Sequence, residues 1–388
     1  MHLSREEEDI LGGEHGAAAA KSMEILLAIC KIFGAEKLIP VTSAQISGVS
    51  YKTIGDAGLE FLESFAKDGR VRIPSYLNPC GMDLEEWKEM GFPKDFAKKQ
   101  MKIIQAYKKM GVEPTCTCTP YLIGILPKKG EHIAWSESSA VIFANSALGA
   151  KTNRESGMSA LASAITGKTP YFGYHLDENR IAEVVFNVKV KLEDMSDFGA
   201  LGIYAGGIAK QRVVAFEGME DFTVDEVKAL GAALAASGSV ALFFIAGVTP
   251  EWRVVGKPER MEFGGRELKE TRESLNSSED AELIAVGCPH CSLEEIKEIA
   301  EKLRGKKLKR KLWVCTARKI KTKADKLGLT KIIEEAGGKV VSDTCMVVSP
   351  IEDMDFKRTA VNSGKAAHYL PSFCKQKVLF GSLKDILE

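Results

Sequence analysis

Apolar and polar positions along the chain change period repeatedly, and each change marks an element. Residues 17–33 and 94–110 carry apolar side chains three and four apart, the spacing of amphipathic helices, the second stopped by Gly111. Ser4 and Glu7 form a capping box for a short helix closed by Gly12-Gly13. Further helices are expected over 56–68 and 157–166, and strands near 38–40 and over 184–190. Residues 200–207 read as a glycine-broken strand, and those from 247 to about 278 as a linker rich in Glu and Arg.

The periodicity is clearest toward the C-terminus. Strands at 240–246, 282–287, 312–316 and 339–341 alternate with helices at 292–304 and 318–336, which predicts a parallel α/β sheet covered on both faces. The tail from Asn362 to Pro371 reads as a surface loop whose polar residues could reach a pocket. The fold expected is α/β, with parallel sheets flanked by helices. Two units are expected, 1–215 with 346–388, and 222–345.

Composition narrows the partners. Lys plus Arg (53) equal Asp plus Glu (53), so nothing favours a nucleic-acid backbone or an anionic membrane. The longest apolar run, 240–248, is strand length, and the first residues lack the pattern of a secretory leader, so a cytoplasmic protein acting on a small molecule is expected. Nine cysteines is an odd count for a disulfide framework, which points to reduced thiols, some of them metal ligands.

The thiols are the candidate chemistry. Gly287-Cys288-Pro-His-Cys291-Ser292 lies between an apolar strand and a helix opened by the Ser292/Glu295 capping box, where a helix N-terminus would lower thiol pKa. Cys116-Thr-Cys118 is a second pair, and Cys288, Cys315 and Cys345 all follow strands, where ligands of open α/β sheets bind. Three readings stand side by side: a thioredoxin-like redox pair at Cys288 and Cys291; structural zinc on Cys116, Cys118, Cys288 and Cys291; or an iron-sulfur cluster on three distant thiolates with one iron open to substrate. Elsewhere, Asn145, Ser146, Asn153 and Arg154 are the neutral donors and planar cation that suit an oxyacid or phosphate. Ser43 and Ser47 lie in a hydroxyl-rich loop after a strand, and His15-Gly16 opens a helix whose N-terminus could hold an anion. Gly149-Ala-Lys-Thr152 fails the spacing of a phosphate loop, which excludes a nucleotide site of that kind.

Gly12-Gly-Glu-His-Gly16, Cys116-Thr-Cys118-Thr-Pro-Tyr121, the block Trp135–Arg154, Ala164-Ile-Thr-Gly167, Gly287–Ser292 and Asp343-Thr-Cys345 together resemble the catalytic large subunit of aconitase X over essentially the whole chain. The resemblance implies a multidomain aconitase-like fold and an iron-sulfur hydro-lyase. Its two-subunit archaeal branch dehydrates mevalonate 5-phosphate to trans-anhydromevalonate 5-phosphate for isoprenoid synthesis. A fused branch acts on cis-3-hydroxyproline, tends to lack a thiol at the position of Cys288, and carries a small swivel domain that is not expected in this chain.

Carried over to this sequence, the resemblance implies cluster ligands Cys118, Cys288 and Cys345, with Cys116 and Cys291 beside two of them. It implies a 4Fe-4S cluster, seen as 3Fe-4S when the labile iron is lost, and a small swivel-domain subunit as partner. The reaction implied is elimination of water: an open iron takes the hydroxyl, and a serine on the small subunit removes the proton. Arg154, Asn145, Ser146, Ser43 and Ser47, then His15, Gly16 and Lys365, are the candidates for the anionic groups of the substrate.

Overall fold

The computed structural model describes residues 2–253 and 255–388. Three parallel sheets organise it. In the first, the strands Ser75–Leu77, Ala44–Ile46 and Ala134–Trp135 lie side by side in that order. In the second the order is Phe243–Ile245, Val214–Glu217, Val184–Val188, Glu259–Phe263. The third runs Gly338–Ser342, Lys311–Thr316, Leu283–Cys291, Arg358–Val361, Lys377–Phe380. Its alternate residues feed two cores: Leu283 and Ala285 on one face, Ile284 and Val286 on the other. A sheet buried on both faces needs apolar residues on both, and the inner stretches of these strands, such as Leu283–Val286 and Leu312–Val314, have them.

Sheet pairing groups the chain differently from the two units expected. The strands within 358–380 pair with those of 283–342, and the strands within 184–217 with those of 243–263. Three other expectations are corrected. Residues 200–207 belong to the helix Met195–Ala209, because Gly202 and Gly206 let it approach the helix Val224–Gly238: a Cβ on Gly202 would lie 2.6 Å from the Leu230 carbonyl oxygen. The stretch taken as a linker contains the strand Glu259–Phe263 and the helix Gly265–Ser274. The stretch from Asn362 to Pro371 lies mostly in the helix Gly364–Cys374, in which Lys365 is buried.

The carboxyl edges of the first and third sheets face each other. From the first come Ser47–Ser50, Asn78–Cys80 and Ser136–Ser139; from the third come Cys288–His290, Ser342–Cys345 and Asn362–Lys365. Contacts across the gap include Cys80 N–H to the Asp343 carbonyl (2.8 Å) and Ser50 Oγ to the Val348 carbonyl (2.8 Å). The second sheet's carboxyl edge opens instead on a surface cavity of about 390 Å³ lined by Lys189, Lys191, Phe198 and Asp221. No helix among the described residues is long and apolar enough to cross a membrane.

Candidate active site

The strand Leu283–Cys291 pairs residue by residue with Lys311–Thr316 as far as Val286, then regains register only at Cys291 opposite Thr316. Between those points Cys288, Pro289 and His290 are thrown out of the ladder toward the gap. The departure begins at Gly287, where φ is +93° and a Cβ would fall 2.1 Å from the Cys315 carbonyl oxygen, so only glycine fits.

Cys118 enters from the first sheet's side. Thr117 N–H donates to the Leu77 carbonyl (3.0 Å), and Gln45 Nε2 donates to the Thr117 carbonyl (3.1 Å), which fixes the loop against the strand ends. Cys345 comes from the loop after Gly338–Ser342, where Arg318 joins two buried carboxylates, Asp83 (2.8 Å) and Asp343. The three thiols are buried and act on one another. Cys345 is drawn down to about 7, chiefly by the Cys288 thiol, with burial opposing and the Val348 and Val347 N–H groups assisting. The same contact with Cys345 heads the causes that push Cys288 up, and burial pushes up Cys118.

A cation stands beside them. Lys365 Nζ bonds Glu137 Oε1 (2.5 Å), Ser139 Oγ (2.7 Å) and Ser138 Oγ (3.2 Å). Burial works against its charge, but the Glu137 carboxylate offsets it and holds the ammonium protonated. Glu137 also caps the helix Ser138–Ser146 through Ala140 N–H (2.7 Å). Ser363 donates to the Cys288 carbonyl and accepts from Ala366 N–H (3.1 Å). Asn78 Oδ1, Tyr121 OH and Asn362 Oδ1 are buried without a hydrogen-bond partner among the described residues, on segments that border this gap.

The expected lowering of thiol pKa at the Cys288-Pro-His-Cys291 motif does not occur. Ser292 Oγ accepts from Glu295 N–H (3.1 Å) in the helix's first turn, and burial dominates at Cys291, raising its pKa. Cys288 and Cys291 also lie in different apolar clusters, on opposite faces of the sheet, which argues against a redox pair. No three His, Cys, Asp or Glu among the described residues are grouped to bind one metal ion, and the strongest influence on Cys116 is Cys80 rather than the other thiols of the four-cysteine zinc set. An iron-sulfur cluster takes its thiolates one to an iron, from separate segments of a chain. Buried sulfurs from three segments, beside a lysine, fit such a group.

Of the other residues singled out by sequence, Lys365 is in the gap and Ser47 borders it, its N–H donating to Ser136 Oγ (2.6 Å). Ser43 accepts from Trp135 Nε1 (3.1 Å). Asn145 is committed to Thr152, Ala241 and Arg180, and Ser146 to Phe243 N–H (2.9 Å). Arg154 is exposed in a surface cleft with Ser156, Gln211 and Ser239, donating to the Ala235 carbonyl (3.3 Å). His15 is exposed beside Arg72 (3.0 Å), and the helix start after Gly16 already holds the Asp68 carboxylate, which accepts from Ala17 N–H (2.6 Å). Sequence reading missed Glu137, Ser138, Ser139, Ser363 and His290. The available signal was their place at the ends of strands.

Family models match almost the whole chain: aconitase X first domain over residues 1–178, second domain over 182–273 and third domain over 281–388. The phosphomevalonate dehydratase large subunit of Methanocaldococcus jannaschii is 56% identical, with 100% of each chain covered. The cis-3-hydroxy-L-proline dehydratase of Pseudomonas aeruginosa is 34% identical over 98% of this chain but 68% of its own length. In structure, the holo-form aconitase X of Thermococcus kodakaraensis superposes with a TM-score of 0.94 at 47% identity, covering 100% of this chain and 99% of that one.

Proposed function

The chain belongs to the aconitase X family, and on that footing we propose that it is the large subunit of an iron-sulfur hydro-lyase that dehydrates mevalonate 5-phosphate to trans-anhydromevalonate 5-phosphate. It acts in the cytoplasm, in a mevalonate route to isoprenoids, with a small subunit as partner. The observation that carries this reading is the meeting of Cys118, Cys288 and Cys345 beside the Lys365–Glu137 pair. Relatives named phosphomevalonate dehydratase large subunit are 56% to 36% identical and match over at least 95% of their own length, whereas the hydroxyproline dehydratases, at 36% and 34%, match over 67% and 68% of theirs.

Cys118, Cys288 and Cys345 would hold a 4Fe-4S cluster, seen as 3Fe-4S when one iron is lost. When bound, the group supplies a Lewis acid for the leaving hydroxyl. Lys365 places a protonated ammonium at the thiol cluster, where it offsets thiolate charge and attracts an anionic substrate. Ser138 and Ser139, held by that ammonium at a helix N-terminus, present hydroxyls toward the same anion. Ser47 and Asn78 on the facing strand ends are the further candidates for contacts to the substrate.

The elimination also needs a base for the C2 proton, and we assign it to a serine of the small subunit. The test is an anaerobic assay of the large chain, alone and with the small subunit, on mevalonate 5-phosphate and cis-3-hydroxyproline. Water loss from mevalonate 5-phosphate only when both chains are present is the expected result. Full activity of the single chain overturns the two-chain mechanism, and preference for cis-3-hydroxyproline overturns the substrate.

A further inference from the structure

One residue touches the flank of every thiol segment. His290 has no exposed surface and lies two residues beyond Cys288. Its backbone N–H donates to Cys118 Sγ at 3.2 Å. Its ring lies between Thr117 Oγ1 at Nδ1 (3.0 Å) and the Thr344 carbonyl at Nε2 (2.9 Å), and these are the residues just before Cys118 and Cys345. A carbonyl only accepts, so Nε2 carries the hydrogen and, on the neutral ring, Nδ1 accepts a hydrogen bond from the Thr117 hydroxyl. The imidazole is thus a rigid strut of fixed length between two loops whose cysteines must meet.

The strut is itself held from the second sheet's unit, which supplies none of the three thiols. Lys228, on the helix Val224–Gly238 and 2% exposed, donates to the His290 carbonyl at 3.3 Å. Its ammonium also bonds Asp225 (2.8 Å) and Glu295, and Ser292 Oγ donates to Asp225 (2.6 Å), so the cluster clasps the chain on the far side of Cys291. Buried ion clusters rarely add stability over apolar packing of the same volume. What they supply is fixed geometry.

We propose that His290, anchored by Lys228, is a positioning residue that sets the spacing of Cys118, Cys288 and Cys345 and donates a backbone hydrogen bond to one of the ligating sulfurs. The proposal rests on the iron-sulfur reading given above. Outer-shell partners of this kind change metal retention or activity by about 10- to 100-fold when removed.

The experiment compares the wild-type chain with His290→Leu and His290→Gln after anaerobic reconstitution with the small subunit. It reads iron content, the electron paramagnetic resonance spectrum, the half-life of visible absorbance in chelator, and kcat against KM. His290→Leu is expected to lose its cluster about 10- to 100-fold faster, with an altered spectrum and a fall in kcat rather than a rise in KM. His290→Gln, which keeps one donor and one acceptor, recovers part of the loss. Wild-type spectrum and retention in His290→Leu overturn the proposal, as does equal impairment of the two variants. If His290→Leu does not melt cooperatively without iron, the double variant Lys228→Met/Glu295→Gln carries the same expectation, and wild-type retention there overturns the anchoring role. Wild-type chain that takes up no iron overturns the iron-sulfur reading itself, a result distinct from iron held equally by wild type and His290→Leu.

Discussion

The loop that carries Cys118 and the loop that carries Cys345 face each other, yet neutral groups secure the first and charges the second. Around Cys118 the anchors are amides and hydroxyls: Gln45 reaches the Thr117 carbonyl (3.1 Å) and accepts Glu137 N–H (3.2 Å), and Thr119 N–H donates to Thr117 Oγ1 (3.1 Å). Before Cys345 the anchor is Arg318, shared by Asp343 and by Asp83, which also accepts Ser342 N–H (2.9 Å). The two schemes should fail differently. Removing one neutral partner loses bonds worth about 1 kcal/mol each, whereas removing the one cation leaves two buried carboxylates uncompensated.

The largest effect is therefore expected at Arg318. Arg318→Ala should destabilise the chain by about 3–5 kcal/mol in denaturant melts, and a loss near that of a neutral partner would erase the contrast. Lys365→Met, which strips the cation that both sulfur loops face, should lower kcat of the two-chain enzyme on the order of 100-fold; turnover within a few-fold of wild type would remove Lys365 from the site. On the neutral side, Gln45→Leu should cost about 2 kcal/mol, measured in the same melts as Arg318→Ala so that the two losses are compared directly.

The smallest effect is a pH dependence at Glu155, a buried carboxyl beside the first sheet that Thr169 Oγ1 bonds at 3.0 Å and that burial holds above the usual carboxylate range. A folded-state pKa above the unfolded one favours the fold at low pH, and that contribution is lost as pH rises through the raised value. Glu155→Gln should therefore gain melting temperature relative to wild type between pH 4 and pH 8. An unchanged difference across that range would mean that the carboxyl is not destabilised by burial.

The third sheet was legible because its strands are buried on both faces and its helices keep a strict period, so the alternation from 282 to 341 shows in the residues themselves. Cys118, Cys288 and Cys345 came from motif resemblance, and spacing alone left zinc and redox readings open. The helix Met195–Ala209 misled because its glycines serve close packing between helices, which looks in sequence like a broken strand. The Lys365–Glu137 pair spans 228 positions, and no local pattern links its members. Lys228 did leave a trace: it is a lone cation in the middle of Val227-Lys-Ala-Leu-Gly-Ala-Ala-Leu, a helix buried nearly all round.

The three sulfurs also impose an order on biogenesis. Cys118 is synthesised early and Cys345 close to the end of the 388 residues, with the anchoring lysine at 228 between them. A partial polypeptide that stops short of position 345 lacks one of the three thiols we assign to the cluster, so on that proposal the group is held only once the third sheet has formed and closed against the first.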